Sequence, residues 1–184
     1  MKQFLEFVAE SKTKTIYHGD NHNTRKLDPK LMKNGNNQEG VGIYFSDDID
    51  VAKFYGKDVI SIDINEKDFV NSRGPISVVG RNKIINMMLD LRKIDDEEFY
   101  YYITDWGVEL SEPEDVTDDM IADLYPYMKD EEVRNWQIDM GEKFGVEDFV
   151  RIWNKHCKIK GTYFYQGDNN WYAVIDPSFK IKKV

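Results

Sequence analysis

The spacing of apolar residues changes twice along this chain, and this change constrains the fold more than any other feature. In the first 65 residues, short β-branched and aromatic runs alternate with segments rich in Gly and Asn, a pattern typical of strands and turns. From residue 77 to about residue 158, apolar residues recur three and four positions apart, as on one face of a helix. The remainder again reads as strands. The sequence therefore predicts an α+β fold.

The individual elements follow from local signals. Strands are expected at "TKTIYHG", "GVGIYFS" and "KDVISIDIN", the last one half-buried. A short helix through "IDVAKFYG" can be capped by Asp47, Asp48 or Asp50 and is expected to end at Gly56. At the C-terminus, "KGTYFYQ" and "WYAVIDPSFKIKKV" flank the turn "GDNN" and predict a hairpin.

The middle of the chain predicts four helices. They are "RNKIINMMLDLRKI", "TDDMIADLYPYM", "KDEEVRNWQIDMGEKF" and "VEDFVRIWNKHC", and the second is expected to be limited by Pro126. The opening "MKQFLEFVAESKTK" predicts a further short amphipathic helix rather than a secretory signal. The acidic runs between Asp95 and Asp148 are interpreted as a solvated helical surface.

Length and composition limit the classes of protein to which this chain can belong. At 184 residues we expect one domain, 1–184, with 77–158 as a mainly helical insertion. No apolar run approaches the roughly 18 residues of a membrane helix, and with a single cysteine, Cys157, no internal disulfide can form. The three histidines are too scattered to predict a metal site. A net charge of −9 argues against non-specific binding to nucleic acid. We expect a cytoplasmic monomer with no membrane partner.

Three motifs occur in a characteristic order. "YHG" contains His18 and Gly19, "GIYF" contains Tyr44 and Phe45, and Tyr55 follows Tyr44 by eleven positions; the last strand reads "NWYAVIDPSFK". In this order and spacing the chain resembles the ADP-ribosyltransferases of the diphtheria-toxin and poly(ADP-ribose)-polymerase class, especially their compact bacterial and phage versions. The resemblance covers residues 15–64 and 160–184 and implies a split β-sheet core that binds NAD.

The resemblance also implies a role for each matching residue. The histidine, here His18, hydrogen-bonds the adenosine ribose, and the glycine, here Gly19, offers backbone groups to the nicotinamide amide. A glycine suits close approach of a ligand to the backbone. Tyr44 and Tyr55 stand where the family's tyrosines flank the nicotinamide, with Phe45 beside them. Each residue also has a structural alternative: a role for His18 in satisfying a backbone carbonyl, and a simple alternation of Tyr44 and Phe45 between core and surface.

The chain departs from the family pattern at two positions. The family's glutamate, which stabilises the oxocarbenium-like transition state, falls on Trp171, which cannot act as an acid. Gln166 and Asp168 are the two candidates to replace it, because a hairpin brings both sides of its turn together. Asp168 carries the required charge, but aspartate is also a common turn residue. Ala52 stands where many relatives carry a serine.

The resemblance implies a mono-ADP-ribosyltransferase that moves ADP-ribose from NAD to a macromolecule, either a host protein or a nucleic acid, with release of nicotinamide. Without the glutamate, elongation to poly(ADP-ribose) is not expected. The start of the chain is similar to those of many small phage proteins, so a phage effector or toxin in a bacterial cell is the expected setting. Two alternatives stay open: an inactive module that binds NAD or a partner, and an acidic mimic of nucleic acid. The helical middle selects the target or merely covers a sheet edge.

Overall fold

The computed structural model describes residues 13–32 and 39–184, and the expected N-terminal helix lies almost entirely outside these ranges. Within them the chain forms an α+β fold, which confirms the expected class. The seven strands are β1 Thr13–Asp20, β2 Ile43–Ser46, β3 Asp58–Asn65, β4 Phe69–Asn71, β5 Gly161–Gln166, β6 Asn169–Val174 and β7 Lys182–Lys183. The six α-helices are α1 Ile49–Lys53, α2 Arg81–Arg92, α3 Asp96–Asp105, α4 Asp118–Met128, α5 Val133–Phe144 and α6 Val146–His156.

The strands form one sheet in the order β4-β5-β6-β2-β1-β3-β7. All the pairs are antiparallel except β4 with β5. The predicted C-terminal hairpin is confirmed as β5 and β6, and β6 pairs with β2, so the two ends of the chain meet in the middle of the sheet. Strand β1 pairs with β3 along its whole length, but with β2 through the single pair Tyr17 and Ser46. The weakest junction of the sheet therefore lies between β1 and β2.

Strand β3 is buried more completely than its alternating pattern predicts. Ser61, on the face expected to be exposed, retains only 3% of its accessible surface. Ser61 pairs with Tyr17, and Gly19 lies two residues further on the same face of β1. Helix α1 packs closely on this face: a Cβ atom at Gly19 would lie only 2.2 Å from the carbonyl oxygen of Ala52. On this face the half-buried interpretation holds at Asp63 and Asn65, which stay partly exposed, and was wrong at Val59 and Ser61, which are buried.

Five α-helices lie between β4 and β5, and four of them were predicted. Helix α3 was not among the four predicted helices, although its first turn belongs to an acidic run that we interpreted as a solvated helical surface. The Asp95 side chain caps it by accepting a hydrogen bond from the Glu98 amide at 2.9 Å. Carboxylates at a helix N-terminus interact favourably with the helix dipole, so the acidic run stabilises the start of α3.

Helix α4 continues past Pro126 to Met128, so the expectation that this proline limits the helix was wrong. A proline inside a helix leaves the carbonyl four residues earlier, here Ala122, without its usual amide donor. The guanidinium of Arg81 approaches that carbonyl at 3.4 Å and takes the place of the missing donor. The local sequence cannot show this compensation, because Arg81 lies on α2.

The buried apolar side chains of the sheet and the helices form one continuous core. Its largest members in the helical part are aromatic: the Phe149 ring lies 5.8 Å from both Trp136 and Trp153. Burial of rings of this size dominates core energetics. None of the helices in the described ranges is long and apolar enough to cross a membrane.

Candidate functional site

A cleft of about 580 Å³ opens beside the weak junction between β1 and β2. It is bounded by the end of β1, by β2 and α1, by the β5–β6 hairpin and by the turn after β4. Its lining combines aromatic rings with a few polar groups, the composition typical of ligand-binding clefts. The lining residues are Tyr17, His18, Gly19, Glu39, Tyr44, Ser46, Ala52, Tyr55, Arg73, Phe164, Tyr165, Gln166 and Trp171.

Five of the seven site residues proposed from the sequence line this cleft: His18, Gly19, Tyr44, Tyr55 and Gln166. The other two lie elsewhere. Phe45 is fully buried, and its ring packs 5.4 Å from the His18 ring, so it supports the histidine from within the core. Asp168 lies in the turn between β5 and β6 and is not among the cleft-lining residues of the described chain.

The imidazole of His18 is held in one orientation by the backbone of β2. Its Nδ1 lies 2.7 Å from the Tyr44 carbonyl oxygen. Because a carbonyl only accepts hydrogen bonds, Nδ1 carries the proton, and in the neutral ring Nε2 is then an acceptor. Burial lowers the pKa of His18, although the bond to Tyr44 and the charge of Asp20 act in the opposite direction. The neutral ring therefore presents Nε2 as an acceptor.

Gly19 is required by packing against α1, which differs from the role expected for it. A Cβ at this position would lie 2.2 Å from the Ala52 oxygen and 2.5 Å from the Gly56 nitrogen, far inside van der Waals contact. Gly56 is constrained in the same way by Asp20 and Gly19. Helix α1 ends at Lys53, so Gly56 serves this close contact and does not end the helix as predicted.

Four aromatic side chains form a continuous wall of the cleft. Tyr44, whose hydroxyl donates to the Gly40 carbonyl at 2.7 Å, meets Phe164 edge-on at 6.0 Å. Phe164 stacks on Trp171 at 6.3 Å, and Trp171 meets Tyr55 edge-on at 5.6 Å. The two tyrosines expected to flank a ligand ring are thus connected through Phe164 and Trp171. Trp171, at the position of the family's glutamate, contributes an aromatic surface.

The carboxylate and the guanidinium of the cleft were not identified from the sequence. Glu39 is nearly buried and accepts from the Ser72 hydroxyl at 2.9 Å, from Arg73 through Nε at 3.3 Å and through Nη2, and from Arg134 at 3.1 Å. Burial alone would raise the pKa of Glu39, but the bonds from Arg73 and Ser72 and the charge of Arg134 outweigh it and lower the pKa. The carboxylate is therefore ionised and paired.

The sequence offers no local signal for the group formed by Glu39, Arg73 and Arg134. Glu39 precedes β2, Arg73 follows β4 and Arg134 lies in the first turn of α5, so only the fold brings the three together. Glu39 and Arg73 lie in "NNQEGVG" and "VNSRGPI", which contain no other charged residue, and Arg134 follows an acidic run, so none belongs to a recognisable motif. Within the described ranges, no cluster of three or more His, Cys, Asp or Glu side chains has a geometry that could hold a metal ion.

Comparisons with known proteins found one solved structure with weak similarity. Neither a protein-family model nor a curated protein matches the sequence. Among solved structures, one described as the crystal structure of an anti-CRISPR protein is similar over 95% of this chain and 97% of its own. The sequence identity is 8% and the TM-score is 0.37.

Proposed function

We propose that the cleft binds NAD and that the chain is a mono-ADP-ribosyltransferase, built on an ADP-ribosyltransferase-like fold, that acts on a macromolecular acceptor. The observation that carries the proposal is the convergence of His18, Gly19, Tyr44 and Tyr55 on one cleft. These residues come from β1, β2 and the segment after α1, and they are the residues to which the resemblance assigns NAD binding. The acceptor is a protein or a nucleic acid of the bacterial cytoplasm.

The cleft offers a suitable group for each part of NAD. The nicotinamide of NAD is a cation, and a ring face such as that of Tyr44 or Tyr55 attracts a cation by about 0.5 to 2 kcal/mol. The Nε2 atom of His18 is an acceptor and suits a ribose hydroxyl. Released nicotinamide is neutral and loses the attraction to the rings. The rings therefore contribute mainly to binding and orientation, and less to the chemical step.

The third element of the reaction is assigned to Gln166 rather than to Asp168, although Asp168 carries the charge that the transition state requires. Gln166 lies on the cleft, whereas Asp168 lies in the turn beyond it. An amide can hydrogen-bond the nicotinamide ribose, but it supplies no negative charge to the oxocarbenium-like transition state. We therefore expect slow transfer of a single ADP-ribose unit, without chain elongation.

The second candidate function is an NAD-binding module without turnover, and one observation favours it. The carboxylate that lines the cleft, Glu39, is already paired with Arg73 and Arg134, and an aromatic ring occupies the position of the family's acid. A carboxylate neutralised in this way stabilises a developing positive charge poorly, because its field is cancelled by the nearby cations.

Labelled NAD separates these functions. The protein is incubated with NAD labelled in the adenylate part and with bacterial lysate, and NAD binding is measured in parallel by calorimetry. Label transferred to a macromolecule supports the transferase, binding without transfer supports the module, and the absence of both contradicts the proposal. His18→Ala should abolish transfer while the far-ultraviolet circular dichroism stays unchanged. Gln166→Ala should slow transfer in a single-turnover assay, whereas Asp168→Asn should transfer at the parental rate; the opposite ranking would return the role to Asp168.

A further inference from the structure

We infer that Arg73 is the phosphate anchor of the cleft, binding the diphosphate of a dinucleotide through its guanidinium. The inference deepens the proposed function and rests on it, in that NAD is the expected ligand. It adds the chemical class of ligand that the cleft selects, which is a nucleotide carrying a diphosphate, as opposed to a nucleoside or a free base.

Arg73 is the one lysine or arginine among the described residues that line the cleft. The remaining polar lining is uncharged or acidic: the pKa of His18 is lowered, and Glu39 is an anion. The chain carries a net charge of −9, which repels a diphosphate at long range. A dinucleotide in this cleft therefore needs a local cation, and Arg73 meets that need with a side chain that is 54% exposed.

The backbone that carries Arg73 is fixed on both sides. The Arg73 amide donates to the Asn71 side chain at 3.0 Å, and the Ser72 amide donates to the Tyr163 carbonyl of β5 at 2.9 Å. On the other side, the Val133 amide of α5 donates to the Gly74 carbonyl at 2.8 Å. A turn tied to a strand and to a helix in this way holds its arginine in place before the ligand arrives, which reduces the entropy lost on binding.

Glu39 orients the Arg73 side chain but does not occupy all of its hydrogen-bond donors. A guanidinium has five N–H donors, and Glu39 engages Arg73 through Nε and Nη2. The other donors are available to a phosphate, for which the planar fork of arginine is well matched. Glu39 is also held by Ser72 and Arg134, so its position does not depend on Arg73 alone. Arg134 in turn pairs with Glu132, and the four charges sum to zero.

The alternative is that Arg73 is only a structural partner of Glu39. The two roles differ in which ligands lose affinity when the guanidinium is removed. A phosphate anchor discriminates between ligands with and without a diphosphate. A structural partner affects every ligand of the cleft alike, because it acts through the shape of the cleft.

The test is calorimetric titration of the parent, Arg73→Gln and Arg73→Lys with ADP-ribose, NAD and nicotinamide riboside. Loss of a charge-assisted contact typically lowers affinity ten- to hundredfold. We expect Arg73→Gln to lose about that factor for ADP-ribose and NAD and less than about threefold for nicotinamide riboside, with partial retention by Arg73→Lys. Arg151→Gln, an exposed arginine on α6 outside the cleft, is the matched control and should bind like the parent.

Two results overturn the inference: parental affinity of Arg73→Gln for ADP-ribose, or an equal loss for nicotinamide riboside. The proposed function fails separately. A parent that binds ADP-ribose through Arg73 but neither binds nor consumes NAD contradicts the transferase and leaves the anchor intact. A parent that binds none of these ligands overturns both.

Discussion

Glu131, in the turn between α4 and α5, should make the stability of the protein depend on pH near neutrality. Its side chain is mostly buried, and Oε2 is shielded from solvent with no hydrogen-bond partner in the described part of the chain. Burial, and secondarily the charge of Asp139, raise the pKa of Glu131 to about 7 from an ordinary value of 4.5. The folded protein therefore retains a proton on Glu131 over a pH range in which the unfolded chain releases it.

The sign and the size of the effect follow from linkage. Below pH 4.5 the carboxyl is protonated in both states and contributes nothing. Between pH 4.5 and about 7 the folded state binds more protons than the unfolded state, so the free energy of unfolding falls as the pH rises. At about 1.4 kcal/mol for each pH unit of difference between the two pKa values, the full loss is about 3 kcal/mol above pH 7.

Glu131→Gln replaces the carboxyl with a neutral group of the same shape and should remove this loss. We expect urea unfolding to give a variant about as stable as the parent at pH 4.5 and more stable by up to about 3 kcal/mol at pH 8. The exposed Glu114 provides the matched control, since Glu114→Gln should follow the parent at both values. If the difference between Glu131→Gln and the parent is the same at pH 4.5 and pH 8, the carboxyl does not titrate differently in the folded state, and the argument fails.

Three further substitutions test particular contacts. Gly19→Ala should lower the free energy of unfolding by about 1 to 3 kcal/mol, because its Cβ would overlap the Ala52 carbonyl; parental stability in urea would mean that α1 shifts without strain. Pro126→Ala restores an amide donor inside α4 and should raise the melting temperature, whereas a lower value would show that the proline is needed for packing. Tyr55→Ala should raise the Kd for NAD more than it lowers the rate at saturation, since Tyr55 is 62% exposed and acts on the bound cation; the reverse ranking would exclude a stacking role.

The strands at both ends of the chain could be predicted because their signals are local. The β-branched run of β3 and the turn residues between β5 and β6 identify those elements without knowledge of any partner. Strand β4 was missed, because its three residues carry no pattern of their own and gain their strand conformation from pairing with β5. The burial of Val59 and Ser61 on the second face of β3 was missed for the same reason, since it depends on the packing of α1.

The candidate site, too, was predicted where its signals are local and missed where they depend on the fold. His18, Tyr44 and Tyr55 lie in motifs whose order could be compared with a known family. The wall that joins the two tyrosines depends on the register of three strands, which places Trp171 opposite both Ser46 and Phe164. No spacing within the sequence encodes that register, because a shift of one residue would turn each side chain to the other face of the sheet.

The ion-pair group of Glu39, Arg73 and Arg134 connects the helical segment to the cleft, which the sequence of that segment did not suggest. Arg134, in the first turn of α5, reaches the Glu39 carboxylate at 3.1 Å, and Glu39 in turn orients Arg73 at the cleft. At the start of the same helix, the Val133 and Arg134 amides donate hydrogen bonds to the Gly74 and Ser72 carbonyls on either side of Arg73. The helices therefore do more than cover one edge of the sheet. Because Glu39 and Arg73 depend on α5 for their positions, the cleft and the helical segment form one structural unit.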